Sequence, residues 1–237
     1  MDDKACQQLR LSELRLFQGI CPEEVRNFIV VTGTVIKTYT KNTRILVPYE
    51  ANPNIGVMVK GKAQVIAEDC FGHEAIGHTL ERGALVGGIS AILPDAQFVN
   101  NIAIEALTDV MVLWIPYRSI FVTAAKLGRT HGIVMKNLLE IFCKENVQMM
   151  EKIEILSLRS LRERFVMYML QQEKKQGQNR IRMPGRTQLA KELKCHRSAL
   201  TREIAAMKAE GILEIGEDWM QLDKEKVERA CDLAFCL

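Results

Sequence analysis

A helical pattern of about 24 residues, from Ile133 to Leu156, constrains this chain more than any other feature, and it contains no Gly or Pro. Its positions step by alternating intervals of three and four residues, typical of a helix that pairs with a second helix. Two charged residues, Glu145 and Lys152, interrupt the apolar seam. A parallel homodimer is the usual solution, although a helix that packs on its own domain gives the same pattern. The predicted seam of this dimer helix runs through Met135, Leu138, Phe142, Met149 and Leu156.

Short apolar runs rich in β-branched residues precede this helix, between about Val30 and Ile115. Gly, Asn and Pro separate the runs, and no helical pattern lies between them. Strands at such short spacing predict an antiparallel sandwich or barrel. Residues 68–74, EDCFGHE, are expected to form a hairpin tip, with Gly72 available for positive φ. Short helices are predicted before the strands, within residues 1–28.

Charge is unevenly distributed along the chain. Residues 157–214 carry 13 Lys and Arg but 6 Asp and Glu. Residues 1–156 carry 16 and 17, and residues 215–237 carry 3 and 6. A basic block between a nearly neutral segment and an acidic one is the electrostatic footprint of a protein that binds a polyanion. A solvated basic surface is the alternative explanation.

The basic block contains GRTQLAKELKCHRSALTREIAAMKAEGIL, residues 185–213, which predicts a helix, a turn and a second helix. The first helix has Thr187 as its expected cap and an apolar face formed by Leu189, Ala190 and Leu193. The turn falls at residues 194–195. The second helix is predicted from Arg197 to Glu210, ended by Gly211, with a packing stripe of Ala199, Leu200, Ile204 and Met207.

The other face of the second helix is polar and basic. Arginine can bond bidentately to guanine in the major groove, Ser and Thr hydroxyls can contact bases or phosphates, and the helix start favours phosphate. Two short strands flanking residues 216–218 are expected to form the hairpin of a winged helix, with Trp219 packed rather than touching DNA. The candidate DNA-binding residues are Thr187, Gln188, Lys194, His196, Arg197, Ser198, Thr201, Arg202 and Lys208.

With these motifs in order, the chain resembles the CRP/FNR superfamily of bacterial transcription regulators over nearly its whole length. The segment CHRSALTREIAAMKAEGIL is similar to the family's recognition-helix pattern, with Cys195, Arg197 and Arg202 in matching places. The resemblance implies that Arg197, Ser198 and Arg202 contact bases. This chain departs from the family in two places. It has Lys194 where the turn often has Gly, and Glu203 where the family usually packs an apolar residue.

The resemblance also implies the architecture and the partners. The fold class is α+β, with an antiparallel β jelly-roll (double-stranded β-helix) sensor domain over 1–130, a long dimerisation helix over 131–157 and a C-terminal winged helix-turn-helix over 158–237. The expected partners are a second copy of the chain, RNA polymerase, a small-molecule effector and a double-stranded, pseudo-palindromic operator. The half-sites of that operator would lie about one helical turn apart. A hinge is expected near residues 156–158.

The identity of the effector is a separate question. Residues 83–107 align with the cassette by which some family members bind cyclic nucleotide. Gly88 stands where the cassette has Glu, and Asn100 and Asn101 stand where it has Arg-Ser, so the cyclic phosphate would meet no cation. We therefore do not expect cyclic AMP to bind. We expect a rearranged pocket that binds a different ligand. Its expected lining is Val86, Gly87, Gly88, Asn100 and Asn101, for which plain turn and core roles are the alternative.

Metal and redox cofactors have little support. Seven scattered cysteines with no C-x-x-C pair are neither a disulfide framework nor a zinc site. Iron–sulfur members of the family carry a cysteine cluster at one end of the chain, whereas Cys231 and Cys236 supply only two thiolates here. Haem-sensing members place Cys and His around the position of Gly87 and Gly88, where this chain has neither. We expect no haem, no iron–sulfur cluster and no other metal.

The remaining features define the class of protein. No phosphate loop, H-E-x-x-H motif or nucleophile elbow occurs, so no enzymatic activity is expected. No run of about 18 apolar residues occurs, and the polar start lacks a signal-peptide pattern, so a cytoplasmic protein is expected. The sequence predicts a DNA-binding regulator controlled by an effector. Two alternatives are a sensor that acts through protein partners and an effector-independent regulator whose pocket is filled by side chains.

Overall fold

The computed structural model describes residues 9–68, 74–92 and 102–230. The chain divides into two compact units, Met1–Cys143 and Lys144–Leu237, called here the N-terminal and C-terminal units. The boundary falls inside the segment predicted as the dimer helix, residues 131–157. Within the described ranges, no helix is both long and apolar enough to cross a bilayer.

The N-terminal unit begins with helical turns, continues with strands and ends in helices. Its first elements are the 3-10 helices Leu11–Glu13 and Arg15–Phe17 and helix α1 (Pro22–Thr32). The strands are β1 (Val35–Tyr39), β2 (Arg44–Leu46), β3 (Asn54–Lys60), β4 (Ala63–Glu68), β5 (Glu74–Leu80), β6 (Leu85–Val86), β7 (Ile102–Ala106) and β8 (Val110–Pro116). The helices are α2 (Gly88–Ile92), α3 (Tyr117–Val122), α4 (Ala124–Leu127) and α5 (Arg129–Ser157), which continues into the C-terminal unit.

The strands form two antiparallel sheets, in the orders β1-β8-β3-β6 and β2-β7-β4-β5. Strands far apart in the chain are neighbours, as where Val35 of β1 pairs with Trp114 of β8. This topology confirms the antiparallel jelly-roll expected from the sequence. Strands β4 and β5 pair up to Glu68 opposite Glu74, and the predicted hairpin tip between them, residues 69–73, lies outside the described residues.

The two central strands of the first sheet, β3 and β8, are buried on both faces. Ile55 and Leu113 belong to an apolar cluster shared with helices α1 and α5. Met58 and Val112 belong to another, shared with Ile104 of the second sheet. Because β3 and β8 are covered on both sides, their sequences are continuous apolar runs rather than alternating ones.

The first half of α5 packs on the N-terminal unit, which corrects the predicted dimer seam. Leu138 is only 4% exposed and lies within the buried cluster that α1 helps to form. Met135 and Phe142 pack against the same cluster. The spacing of three and four residues correctly marked a packing face, but periodicity does not say what covers that face. The helix also starts before the predicted Ile133 and runs through Gly132.

The C-terminal unit contains a helix, a turn and a second helix beside a small sheet. Its elements are α6 (Leu161–Gln176), β9 (Ile181–Arg182), α7 (Arg186–Glu192), α8 (Arg197–Ala209), β10 (Leu213–Ile215), β11 (Trp219–Leu222) and α9 (Lys224–Ala230). The strands are ordered β10-β11-β9, all antiparallel. One core joins these elements through Phe165, Leu189, Leu200 and Met220. The two helices and the hairpin predicted from residues 185–222 are confirmed.

The start of α6 is fixed by a reciprocal capping box. The Ser160 side chain accepts a hydrogen bond from the Glu163 backbone N–H at 3.1 Å. The Glu163 carboxylate accepts one from the Ser160 backbone N–H at 2.9 Å. That bond holds the pKa of Glu163 below its usual range. The capping box satisfies two backbone N–H groups at the start of α6. It thereby fixes where α6 begins after α5 ends at Ser157.

Candidate nucleic-acid interface

Helix α8 has one buried face and one exposed face. Leu200, Ile204 and Met207 are 3% exposed or less and belong to the core of the C-terminal unit. Their spacing of four and three residues places them on one side of the helix. The packing stripe predicted from the sequence is confirmed for these three residues, while Ala199 is half-buried.

The remaining side of α8 is exposed and carries donors. Within the described residues, no ion pair or hydrogen bond engages the guanidinium of Arg197 or Arg202. The Thr201 hydroxyl donates to the Arg197 carbonyl at 2.9 Å and keeps its lone pairs for accepting. Every predicted contact on this helix and at its start is exposed: His196, Arg197, Ser198, Thr201, Arg202 and Lys208.

The turn before α8 has the backbone geometry that the family resemblance implied. Lys194 adopts φ of 51°, in the left-handed region. Its N–H donates to the Lys191 carbonyl at 3.2 Å, and the N–H of Cys195 donates to the Ala190 carbonyl at 3.0 Å. These two bonds are a Schellman motif, which usually has Gly at the left-handed position. The Lys194 side chain is exposed beside the start of α8.

Helix α7 begins earlier than predicted, which corrects the role of Thr187. The residue at the N-cap is Gly185, so Thr187 lies within the first turn and not at the cap. Its side chain is exposed, as is that of Gln188. The Gln188 amide donates to Glu192 at 2.9 Å. Ala190 is 4% exposed, in keeping with the close helix crossing expected of a small residue there.

Glu203, which departs from the family pattern, has a charged partner in place of an apolar contact. Its carboxylate accepts a hydrogen bond from Nε of Arg162 at 2.7 Å. Nη1 and Nη2 of the same arginine donate to the two carboxylate oxygens of Glu210, at 2.7 and 2.8 Å. These bonds hold the pKa of Glu210 below its usual range. This role of Arg162 was not predictable from sequence spacing, because Arg162 lies 41 residues before Glu203.

Two further basic residues lie beside the hairpin. The Arg180 guanidinium stacks over the Trp219 ring at 4.4 Å. Arg182 of β9 is 3.7 Å from Asp218 at the hairpin tip, and its side chain is 80% exposed. Neither arginine is among the DNA-binding residues predicted from the sequence. The available signal was two arginines at positions i and i+2, which place both side chains on one side of an extended segment.

The described residues of the expected effector pocket have structural contacts. Val86 is fully buried in the second core cluster. Gly87 has φ of 66°, and its carbonyl accepts a hydrogen bond from Nδ2 of Asn52 at 3.1 Å. A Cβ on Gly88 would lie 2.7 Å from Cζ of Phe142, so the Phe142 ring occupies the space beside this residue. Asn100 and Asn101 lie outside the described residues.

The described cysteine, histidine and acidic side chains do not form a metal-binding cluster. No group of three or more His, Cys, Asp or Glu side chains in the described ranges is arranged to hold a metal ion. Cys195 is half-buried, and burial raises the pKa of its thiol while the charge of Arg164 opposes that shift. Its place in the turn is therefore one of packing between α7 and α8.

Comparison with solved structures identifies the fold. The Thermus thermophilus catabolite activator protein is 19% identical, over 91% of this chain and 96% of that one, with a TM-score of 0.51. CprK complexed with OCPA is 16% identical, over 88% and 94%, with a TM-score of 0.66. CLP of Xanthomonas campestris, a c-di-GMP-responsive global regulator, is 16% identical, over 85% and 99%, with a TM-score of 0.55.

These similarities cover both units of the chain. No protein-family model matches the sequence, and no curated protein does. The chain therefore has a CRP/FNR-like fold, a β-roll followed by a smaller helical domain, with a divergent sequence. The resemblance inferred from the recognition-helix pattern is confirmed at the level of the fold.

Proposed function

We propose that this protein is a cytoplasmic, homodimeric transcription regulator that binds a specific DNA sequence through α8. One observation carries the proposal: α8 is anchored by a buried apolar stripe, while Arg197 and Arg202 on its exposed side have no protein partner among the described residues. Guanidinium groups left open on an anchored helix suit bidentate contacts to guanine. Fold similarity to known regulators supports the proposal.

The residues divide into base-contacting and phosphate-contacting sets. In the proposed complex Arg197, Ser198 and Arg202 contact bases, and Thr201 contacts either a base or a phosphate. Lys208, further along α8, contacts a phosphate. Lys194 and His196 reach phosphate near the start of the helix, where backbone N–H groups also favour an anion. Thr187 and Gln188 add contacts from the exposed side of α7.

A second copy of the chain would cover the exposed face of α5. Leu139, Val147, Met150 and Ile153 are each more than half exposed, at 60%, 53%, 68% and 60%. Their spacing keeps them on one side of the helix. Leu139, Met150 and Ile153 are each one residue beyond a position of the predicted seam, of which Met149 remains 55% exposed. The dimer would bring two copies of α8 to half-sites of a pseudo-palindromic operator about one helical turn apart.

The control of this regulator has two candidate forms. In the first, an unidentified small effector in the β-roll shifts the population of arrangements at the break between α5 and α6, and RNA polymerase responds to the bound dimer. In the second, side chains fill the pocket and no effector is needed. The contact between Phe142 and Gly88 favours the second form. A thermal-shift screen of small ligands separates them, since only the first predicts stabilisation by a ligand.

The test of DNA binding is the substitution Arg202→Ala. With a duplex recovered by selection from a randomised library, wild type should give a retarded band on a gel, and the variant should lose specific binding while remaining a dimer. Removing one bidentate base contact is expected to cost about 1–3 kcal/mol. Undiminished affinity in the variant would contradict the assignment.

Salt dependence distinguishes DNA binding from the sensor that acts through protein partners. Binding through phosphate contacts should weaken steeply as the salt concentration rises, because counterions are released from DNA. An apolar partner surface would show no such dependence.

A further inference from the structure

We infer that Arg162 is a positioning residue that sets the orientation of α8, and with it the exposed arginines, by holding two carboxylates on the helix. The inference rests on the proposed function, because its consequence for DNA requires that α8 contact bases. Its structural part, the attachment of α8 to the first turn of α6, stands on geometry alone.

The contacts of Arg162 use all three guanidinium nitrogens. Nε donates to Glu203, and Nη1 and Nη2 donate to the two oxygens of Glu210, all at 2.7–2.8 Å. The side chains of Arg162 and Glu203 are 26% and 25% exposed. A paired, planar arrangement of this kind has directional specificity that a lysine ammonium lacks. The group therefore fixes an angle as well as a distance.

Glu203 and Glu210 lie seven residues apart, about two turns along α8. A single planar group bonded at both points resists rotation of the helix about its axis and sliding along it. Apolar packing by Leu200 and Ile204 anchors the same helix, but such contacts are non-directional. Base recognition needs side chains held within about 0.5 Å and 10–20°, so the directional contact supplies what packing does not.

The contact lies away from the exposed side of α8. At about 100° per residue, Glu203 and Glu210 lie roughly 120–140° from Arg197 and roughly 80–100° from Arg202 on the helical wheel, outside the arc of about 140° between the two arginines. The carboxylates therefore do not occupy the surface proposed to meet DNA. Arg162 also offsets one of the two negative charges, which lessens the repulsion that two acidic groups on a DNA-contacting helix would exert on phosphates.

A second arginine of the same turn supports this arrangement. Nη1 of Arg164 donates to the carbonyl of Leu193, the C-cap residue of α7, at 2.8 Å. The first turn of α6 thus holds both the end of α7 and the back of α8. The Ser160–Glu163 capping box fixes that turn immediately after the chain leaves α5. A backbone change at residues 158–160 would therefore reach α8 through Arg162.

The experiment compares Arg162→Lys with wild type in the full chain. Lysine keeps the charge but cannot bond to both glutamates in the planar geometry. Two duplexes are used: one recovered by selection from a randomised library with wild type, and one of scrambled sequence. We expect the affinity for the selected duplex to fall about tenfold, comparable to losing one bidentate base contact. The affinity for the scrambled duplex should change less than about twofold, because flexible lysine side chains can keep their phosphate contacts after a small rotation of α8, whereas directional base contacts cannot.

The ratio of the two affinities is the decisive readout, since partial unfolding lowers both affinities together. Arg159→Lys is the matched control, a basic exposed residue three positions earlier, and it should leave both affinities unchanged. The pair Glu203→Gln and Glu210→Gln should reproduce the loss of ratio. Adding Arg162→Lys to that pair should cause no further loss, because the residues act through one contact.

Amide hydrogen exchange tests the placement of α8 without DNA. Arg162→Lys should speed exchange in α8 relative to α6 if the helix loses its fixed placement. An unchanged affinity ratio in Arg162→Lys would overturn the inference while leaving the proposed function intact. A parallel fall of both affinities with a lowered melting temperature would also overturn it, since Arg162 would then act only on folding. Failure of wild type to prefer any selected duplex would instead overturn the proposed function.

Discussion

At the scale of single residues, backbone conformation and charge pairing explain the two departures from the family pattern. Lys194 occupies a left-handed position normally suited to Gly, so the turn keeps its geometry although the residue differs. Glu203 keeps its place on the back of α8 because Arg162 supplies an ionic partner. In both cases the local shape is preserved, and only the side chain that produces it has changed.

The conformation of Lys194 gives a stability prediction. A non-glycine residue in the left-handed region costs about 1 kcal/mol relative to Gly. Lys194→Gly should therefore raise the free energy of unfolding by up to about 1 kcal/mol, measured by urea denaturation. The control is Lys191→Gly within α7, where the same change should lower it by about 1 kcal/mol. Equal effects at the two positions would show that Lys194 is not strained.

At the scale of elements, what surrounds an apolar stripe determines its role. The stripe of α8 is buried within its own unit, whereas α5 has one face in the N-terminal core and another that is exposed. Helix α6 adds a local contribution, because the Ser160–Glu163 capping box holds its start. Capping bonds are local, and their contribution depends on the ionisation of Glu163.

The capping box predicts a pH dependence. The folded-state pKa of Glu163 is depressed by the hydrogen bond from the Ser160 backbone N–H. A depressed carboxyl pKa contributes stability that is present above the unfolded pKa, about 4.3 for Glu, and is lost as the pH falls through the folded value. Glu163→Gln should be less stable than wild type at neutral pH, and the difference should shrink below about pH 4.3.

The measurement for this prediction is the free energy of unfolding from neutral to acidic pH, for wild type and variant. Glu214→Gln, at an exposed position of β10, is the matched control for removing a carboxylate that is not part of the capping box. If the difference in free energy of unfolding between Glu163→Gln and wild type stays constant down to acidic pH, the ionised carboxylate does not stabilise the start of α6.

At the scale of the whole molecule, the proposed function requires two copies of the chain. The exposed side of α5 carries apolar residues that water would solvate in a single copy, and burial of apolar side chains favours association. Cys143 is exposed between Leu139 and Val147 on this side. In a parallel pair related by twofold symmetry, each such residue faces its own copy.

This geometry predicts a disulfide cross-link. A variant that retains only Cys143 should form a covalently linked dimer under mild oxidation, seen on a non-reducing gel, because facing cysteines on paired helices come within bonding range. A variant that retains only Cys21, exposed at the start of α1, should remain uncross-linked. A Cys143 variant that stays monomeric in solution and does not cross-link would contradict the proposed dimer face.

The sequence alone determined the order of the elements, the antiparallel sandwich or barrel character of the strands, and the helix-turn-helix with its buried stripe. Each of these follows from periodicity and turn residues, which act over a few neighbouring positions. Only the tertiary structure decided that Leu138 is in the core while Leu139 is exposed, and that Arg162 holds Glu203 and Glu210. The physical reason is that burial and ion pairing depend on residues distant in the chain, brought together when the whole unit packs.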